Sequence, residues 1–185
     1  MELLLVRHPR PLVDTGICYG SSDLAVAQDE LTRVHASLRL PHAPVFSSPL
    51  QRCAALARLL SADVAFDANL AEMDFGAWEG RAWDDIPRRE VDAWAADLLR
   101  YRPGGGENVF EVARRVACAM DTIRHHGTGT AIVICHAGTI RLMTALASGT
   151  PLAQAALAAA ATPHQIAYGA VTRVWAGAGD GPMPV

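Results

Sequence analysis

The stretch TAIVICHAGTIR, Thr130 to Arg141, decides the fold class. Thr130 to Cys135 is a short apolar run, the strongest strand signal in the chain. His136 follows it at once. Ala137-Gly138-Thr139 then opens a helical pattern that runs from Gly138 to Ser148 and stops at Gly149-Thr150-Pro151. A buried strand that turns directly into a helix is the repeating unit of an α/β sheet.

The same alternation extends outward in both directions. Glu2 to Arg7 reads as a buried strand, and Pro9 and Pro11 force a loop that continues through Gly16, Gly20 and Asp23. Glu30 to Leu38 is a helix and Val45 to Ser47 a strand. Ser48 as N-cap, Pro49 at the first helical position and Gln51 closing a capping box predict a helix to about Leu60. Val64 to Phe66 is a third strand, and Asn69 to Arg81 an acidic, aromatic, glycine-containing loop. Asp84 to Arg100 reads as helix with a break at Pro87, and Pro103-Gly-Gly-Gly as a breaker. Glu107 to His126 is a helix, with the acid of Glu107 in its first turn, where the dipole favours it. Leu152 to Ala161 adds a short helix and Ile166 to Trp175 a final strand. Ala176 to Val185 is rich in Gly and Pro and reads as a loose tail. No linker interrupts the series. The expectation is a single domain over residues 1–175, a three-layer α/β/α sandwich on a mainly parallel sheet.

Composition bounds the function. The chain has 185 residues, 51% hydrophobic and 19% charged, with a net charge of −3, which is globular and not disordered. No cationic run offers a nucleic-acid surface. All 16 basic residues are arginine, so lysine-based chemistry is excluded. No apolar stretch is long enough to span a membrane, and a cytoplasmic protein is expected. The cysteines, Cys18, Cys53, Cys118 and Cys135, form no CxxC pair or zinc spacing and read as reduced, mostly buried thiols.

Several chemistry-bearing residues fall just after strands, where α/β sheets bind ligands. Arg7-His8 follows the first strand, Ser47 to Arg52 the second, and Cys135 to Gly138 the strongest. Taken singly, each has an ordinary structural explanation. Arg52 in a first helical turn opposes the dipole, which points to an anion facing it. His136 precedes a helix start, whose free N–H groups suit anions. Glu72 alone would pass as a solvated acid.

Together the strings are more specific. LVRHPRP (Leu5 to Pro11), SSPLQRC (Ser47 to Cys53), LAEMDFGAWEG (Leu70 to Gly80), PGGGEN (Pro103 to Asn108) and VICHAGTIR (Val133 to Arg141) occur in this order. In order and spacing they resemble the histidine phosphatase, or phosphoglycerate-mutase-like, superfamily. The resemblance runs from Leu3 to about Arg173. It implies a phosphoglycerate-mutase-like fold and a metal-independent phosphomonoesterase with no cofactor. His8 would be the nucleophile that forms a phosphohistidine. Arg7 and Arg52 would clamp the phosphoryl oxygens, with His136 as a third cationic or hydrogen-bonding partner. Glu72 would protonate the leaving oxygen and then activate water. Backbone N–H groups near Gly138 and Thr139 would add to the phosphate pocket.

These residue types suit the chemistry. Phosphoryl transfer needs positioning and charge neutralisation, which arginine forks provide. The nucleophilic histidine must be neutral, with its other ring nitrogen donating to a fixed acceptor such as a backbone carbonyl, and nearby arginines oppose its protonation. A carboxyl that starts protonated needs a raised pKa, from partial burial or from the substrate's charge.

The chain departs from the family pattern at Pro9, where a glycine is usual; a backbone donor is thereby lost. Arg10 is a candidate to offset it or to read the far end of the substrate. The segment GICYGSSDLAV (Gly16 to Val26), with the RHPRP start, resembles the α-ribazole phosphatases of cobalamin biosynthesis. Tyr19, Trp78 and Trp83 are candidates to stack on a base-like ring, with packing under the loops favoured for at least two of them. Tyr19 and Arg10 are thus the candidate substrate-binding residues, and His164 a candidate to border the pocket. The alternatives are a broad-specificity sugar or nucleotide phosphatase and, from another class, a phosphate- or partner-binding module without catalysis. The expected partner is a small phosphate monoester, with no nucleic acid and no membrane. The oligomeric state is left open, a homodimer included.

Overall fold

The computed structural model describes residues 1–161 and 165–177. At the heart of its sheet, β1 (Glu2–Arg7) runs parallel to β4 (Thr130–Cys135), with Glu2 opposite Thr130 and Arg7 opposite Cys135. β2 (Val45–Ser47) lies parallel on the other side of β4, and β3 (Val64–Phe66) lies parallel to β2. β5 (Val171–Trp175) closes the other edge, antiparallel to β1, so the order is β3-β2-β4-β1-β5.

Side chains alternate across a strand, so each central strand feeds two cores. Leu3, Leu5, Ala131, Val133 and Cys135 pack against α4 (Val109–His125), α5 (Ala137–Ala147) and α6 (Leu152–Ala161). Leu4, Val6, Ile132 and Ile134 face the other way, against α1 (Gln28–Ser37) and α2 (Gln51–Leu60). Both faces are covered, which is why β1 and β4 read as unbroken apolar runs. The result is the three-layer α/β/α arrangement, with a mainly parallel sheet. Among the described residues no helix is long and apolar enough to cross a membrane.

Several boundaries differ from those the sequence predicts. α2 starts at Gln51, not behind an N-cap at Ser48. The Ser48 hydroxyl is 2.9 Å from His136 Nε2, and the Gln51 N–H is capped from a distance by Asp23 Oδ1 at 2.6 Å. α3 covers only Arg88–Ala96: Pro87 precedes it, and Asp97 ends it by taking the Arg100 N–H on its own side chain. α4 starts after Asn108, which forms a capping box with Glu111, so Glu107 lies outside the helix. β5 starts at Val171 because residues 167–170 turn, with Gly169 at φ 74°. The tail is tied at its start: buried Ala176 exchanges backbone hydrogen bonds with Met1. Residues 178–185 of that tail lie outside the described residues.

Candidate active site

β1 and β4 end level with each other, so the residues that follow, His8 and His136, leave the sheet side by side. Their ring centroids are 5.0 Å apart and both side chains are buried. His8 Nδ1 lies 2.7 Å from the Pro9 carbonyl. A carbonyl only accepts, so Nδ1 carries the proton and Nε2 keeps its lone pair. Burial and the Arg52 and Arg7 cations pull the His8 pKa from 6.5 to about 3, against the opposing pull of the Pro9 bond. Pro9, which lacks the donor of the usual glycine, thus supplies the acceptor that orients the imidazole.

His136 sits at the N-cap of α5. Its Nε2 is 2.9 Å from Ser48 Oγ and 3.4 Å from Cys53 Sγ. Burial first, then His8 and the nearby arginines, hold its pKa well below the ordinary histidine value. That environment favours the neutral, hydrogen-bonding form of His136 over the cation.

The two arginines are fixed by backbone carbonyls. Arg52, fully buried in the first turn of α2, donates from Nη1 to Ser22 O at 2.6 Å and from Nη2 to Gly20 O. Arg7 donates from Nη1 to Ile166 O at 2.6 Å and lies over the Tyr168 ring, Cζ to centroid 3.9 Å. Neither forms an ion pair among the described residues, and the buried Nε of each lacks an acceptor there. A buried guanidinium beside a partly buried one, with no carboxylate between them, is costly unless an anion joins them.

Glu72 is held from three sides. Gly138 N–H donates to Oε2 at 3.0 Å and Met73 N–H to Oε1 at 3.1 Å. Its loop is pinned by Arg115 of α4, which donates to the carbonyls of Asn69, Ala71 and Glu72 at 3.0, 2.6 and 3.0 Å. Arg115 is itself gripped by both carboxylate oxygens of Glu107, each at 2.8 Å.

Four of these groups, Arg7, His8, Arg52 and Glu72, line one cavity of about 360 Å³, whereas His136 is fully buried and lies outside the lining. Its floor carries Arg7, His8, Arg52 and Glu72, with Tyr19, Gly138 and Arg141 beside them. Its wall is apolar and comes from four helices and a loop, with Phe75, Trp94, Val112, Leu142 and Ala160 among its residues. Tyr19 reaches Tyr168, hydroxyl to hydroxyl 2.8 Å. Arg10 is exposed and lies outside the lining, with its backbone N–H on Glu30 Oε1. Thr139 is also outside the lining; it is buried, and its hydroxyl donates to the carbonyls of Leu70 and Ala71. The Gly138 N–H is engaged by Glu72. Trp78 is buried and packs under the loops, whereas Trp83 stacks on Trp94 and stays exposed; neither lines the cavity. His164 lies outside the described residues.

Sequence reasoning missed Tyr168, Arg141, Arg115 and the apolar wall. Arg141 was accessible: it lies three residues after Gly138, on the same helical face. The Tyr168-Gly169 pair is a turn signal lying inside the range Ile166 to Trp175 that the sequence predicts as strand.

Likeness to known proteins bears on this arrangement. The bifunctional protein Rv2228c of Mycobacterium tuberculosis is 38% identical over 160 residues, which cover 79% of this chain and 44% of that protein. The chain thus spans less than half the length of that curated relative. The crystal structure of TTHB049 from Thermus thermophilus is 26% identical, covers 94% of this chain and 93% of its own, and superposes with a TM-score of 0.69. The α-ribazole phosphatase from Shigella flexneri superposes with a TM-score of 0.78 over 94% of this chain and 89% of its own; at 23% identity that likeness is one of fold. The model of the histidine phosphatase superfamily (branch 1) matches residues 3–170, a span that holds His8, His136, Arg7, Arg52 and Glu72, and the chain belongs to that family.

Proposed function

We propose that the protein is a metal-independent phosphomonoesterase that works through a phosphohistidine on His8. One observation carries this reading: a buried Arg52 and a partly buried Arg7, neither with a carboxylate partner among the described residues, line one cavity with a neutral histidine whose tautomer is fixed. A phosphate dianion offsets both charges, and its oxygens accept the unused guanidinium donors. His8 Nε2 attacks phosphorus as the P–O bond to the alcohol breaks, and Glu72 delivers the proton to the leaving oxygen. Water then attacks the phosphohistidine, Glu72 takes its proton, and inorganic phosphate leaves. The arginines stabilise the equatorial oxygens in both steps. His136 contributes a hydrogen bond to the phosphoryl group.

The apolar wall supports the finer reading of the substrate as α-ribazole 5'-phosphate or a close relative. A simple sugar phosphate has only hydroxyls to set against Phe75, Trp94, Val112 and Leu142, at about 1–3 kcal/mol for each left without a partner, whereas α-ribazole 5'-phosphate carries a base beyond its ribose. A flat apolar base gains from the same contacts. The cavity volume is near the low end for small-molecule sites, which suits a single nucleotide-sized ester.

The test is phosphate release in EDTA at equal low concentrations of α-ribazole 5'-phosphate, nucleoside monophosphates, sugar phosphates, 3-phosphoglycerate and p-nitrophenyl phosphate. A preference of about a hundredfold for the ribazole ester is expected, corresponding to roughly 3 kcal/mol of differential binding. Flat activity would leave a broad-specificity phosphatase. Turnover that survives His8→Ala at the wild-type level would rule out the mechanism.

A further inference from the structure

Glu79 has no place in the reaction, yet its carboxylate is the most heavily used acceptor near the site. Oε1 accepts from the backbone N–H of Ser21 and Phe75, at 2.9 and 3.0 Å, and from the Ser21 hydroxyl at 3.3 Å. Oε2 accepts from the N–H of Gly20 and Ser22, at 3.0 and 3.2 Å, and from the Ser22 hydroxyl. Burial works to raise its pKa, but the Ser22 hydroxyl and the surrounding N–H groups outweigh it and hold the carboxyl below its ordinary value. It is a fixed negative charge with every acceptor position filled.

The segment it binds does one visible job. Gly20 and Ser22 present their carbonyls to Arg52 Nη2 and Nη1. The N–H groups of Gly20, Ser21 and Ser22 thus point to Glu79, while two of the three carbonyls point to the guanidinium. The segment also packs tightly on the loop that carries Glu79: a Cβ at Gly20 would collide with the Met73 carbonyl and the Phe75 ring.

We propose that Glu79 is a positioning residue for the phosphate clamp: it fixes the Gly20–Ser22 segment, whose carbonyls hold Arg52 in place on the cavity floor. The inference rests on the phosphatase reading of that floor. It assigns the specific orientation of Arg52 to a carboxylate that never meets the substrate. A guanidinium held by two carbonyls would otherwise be free to rotate or to pair with a carboxylate elsewhere.

Glu79→Gln tests this at nearly constant shape. Each carboxylate oxygen faces two backbone N–H donors, so the amide nitrogen of glutamine opposes two donors whichever way it is turned. The probe is inorganic phosphate, measured by calorimetric binding, which needs no turnover and does not touch the apolar wall. Glu79→Gln is expected to raise the phosphate Kd roughly tenfold, the scale of a small misplacement of a positioned group. In an Arg52→Lys background the same change should add less than about twofold, because the fork that Glu79 orients is gone. A folded Glu79→Gln protein that binds phosphate like the wild type would overturn the proposal, and so would losses that multiply in the double variant. If Glu79→Gln does not fold, Ser22→Ala carries the test: it removes one hydroxyl donor to Glu79, and a smaller loss of the same kind, absent with Arg52→Lys, is expected. Unchanged phosphate binding by Ser22→Ala would then overturn it. A wild-type protein that binds no phosphate would instead sink the phosphatase reading itself.

Discussion

Gly138 shows how one missing methyl group serves a site. A Cβ there would fall within clashing distance of Glu72 Oε1, while the Gly138 N–H binds Oε2 at 3.0 Å. The atom in the way is the free end of a side chain and Gly138 is helical, so alanine costs the fold little and favours the helix by up to about 1 kcal/mol. Gly138→Ala should therefore keep or slightly raise the urea midpoint while kcat falls about tenfold or more, since the carboxylate must leave its position. His8 gives a second prediction at this scale. Its folded pKa of about 3 lies below the ordinary 6.5, so the unfolded chain takes up the proton first as pH falls. The stability from neutral His8 is complete above the ordinary value and is lost between there and about 3; buried His136 acts in the same direction. The urea midpoint should drop from near pH 7.5 to about pH 5, and His8→Asn should lessen the drop. An imidazole nitrogen spectrum at about pH 5 should still show His8 as the neutral Nδ1–H tautomer.

Between elements, the decisive contact is the one between α4 and the loop before Glu72. Arg115 and Glu107 lie eight residues apart, one in the helix and one just before it, and their pair carries three loop carbonyls. Arg115→Ala strands those carbonyls and the Glu107 carboxylate. Both side chains keep some exposure, so the expected loss is about 3 kcal/mol, at the low end for breaking a buried pair. Arg115→Lys keeps the charge without the fork, so it should recover part of the stability in urea unfolding but little of kcat, because the Glu72 loop stays unpinned. The sequence showed that a helix begins in this region but put Glu107 inside it. The true start depends on Asn108 and Glu111 satisfying each other, a local pattern that was open to reading. The start of α2 was not legible in the same way. Its cap comes from Asp23, 28 residues away, and the hydroxyl that looked like the cap is taken by His136. Local rules locate an element; a distant partner moves its first residue.

At the scale of the whole molecule, a parallel sheet collects residues that are far apart in the chain. Arg7, His8, Arg52, Glu72 and His136 are recognisable only as a set: each alone has an ordinary structural explanation, and it is the order and spacing of the five strings that carry them which resemble a family. The wall opposite them was hidden. Phe75, Trp94, Val112, Leu142 and Ala160 come from five separate segments, and in each segment they look like ordinary core residues. Only the packing of α4, α5 and α6 against one face of the sheet leaves them lining a space rather than filling it. On the proposed reading, specificity belongs to this wall more than to Arg10, which is exposed and outside the cavity. A steric change in the wall should separate substrate choice from chemistry. Ala160→Leu places a larger side chain at the cavity edge, on a helix that tolerates leucine. It should lower kcat/KM for α-ribazole 5'-phosphate by about tenfold to a hundredfold, because a few lost or clashing apolar contacts cost roughly 1–3 kcal/mol. Methyl phosphate, which fits on the polar floor alone, should be hydrolysed as by the wild type. If both esters slow equally, the leaving group does not rest on this wall. If neither slows, the cavity's apolar half takes no part in recognition.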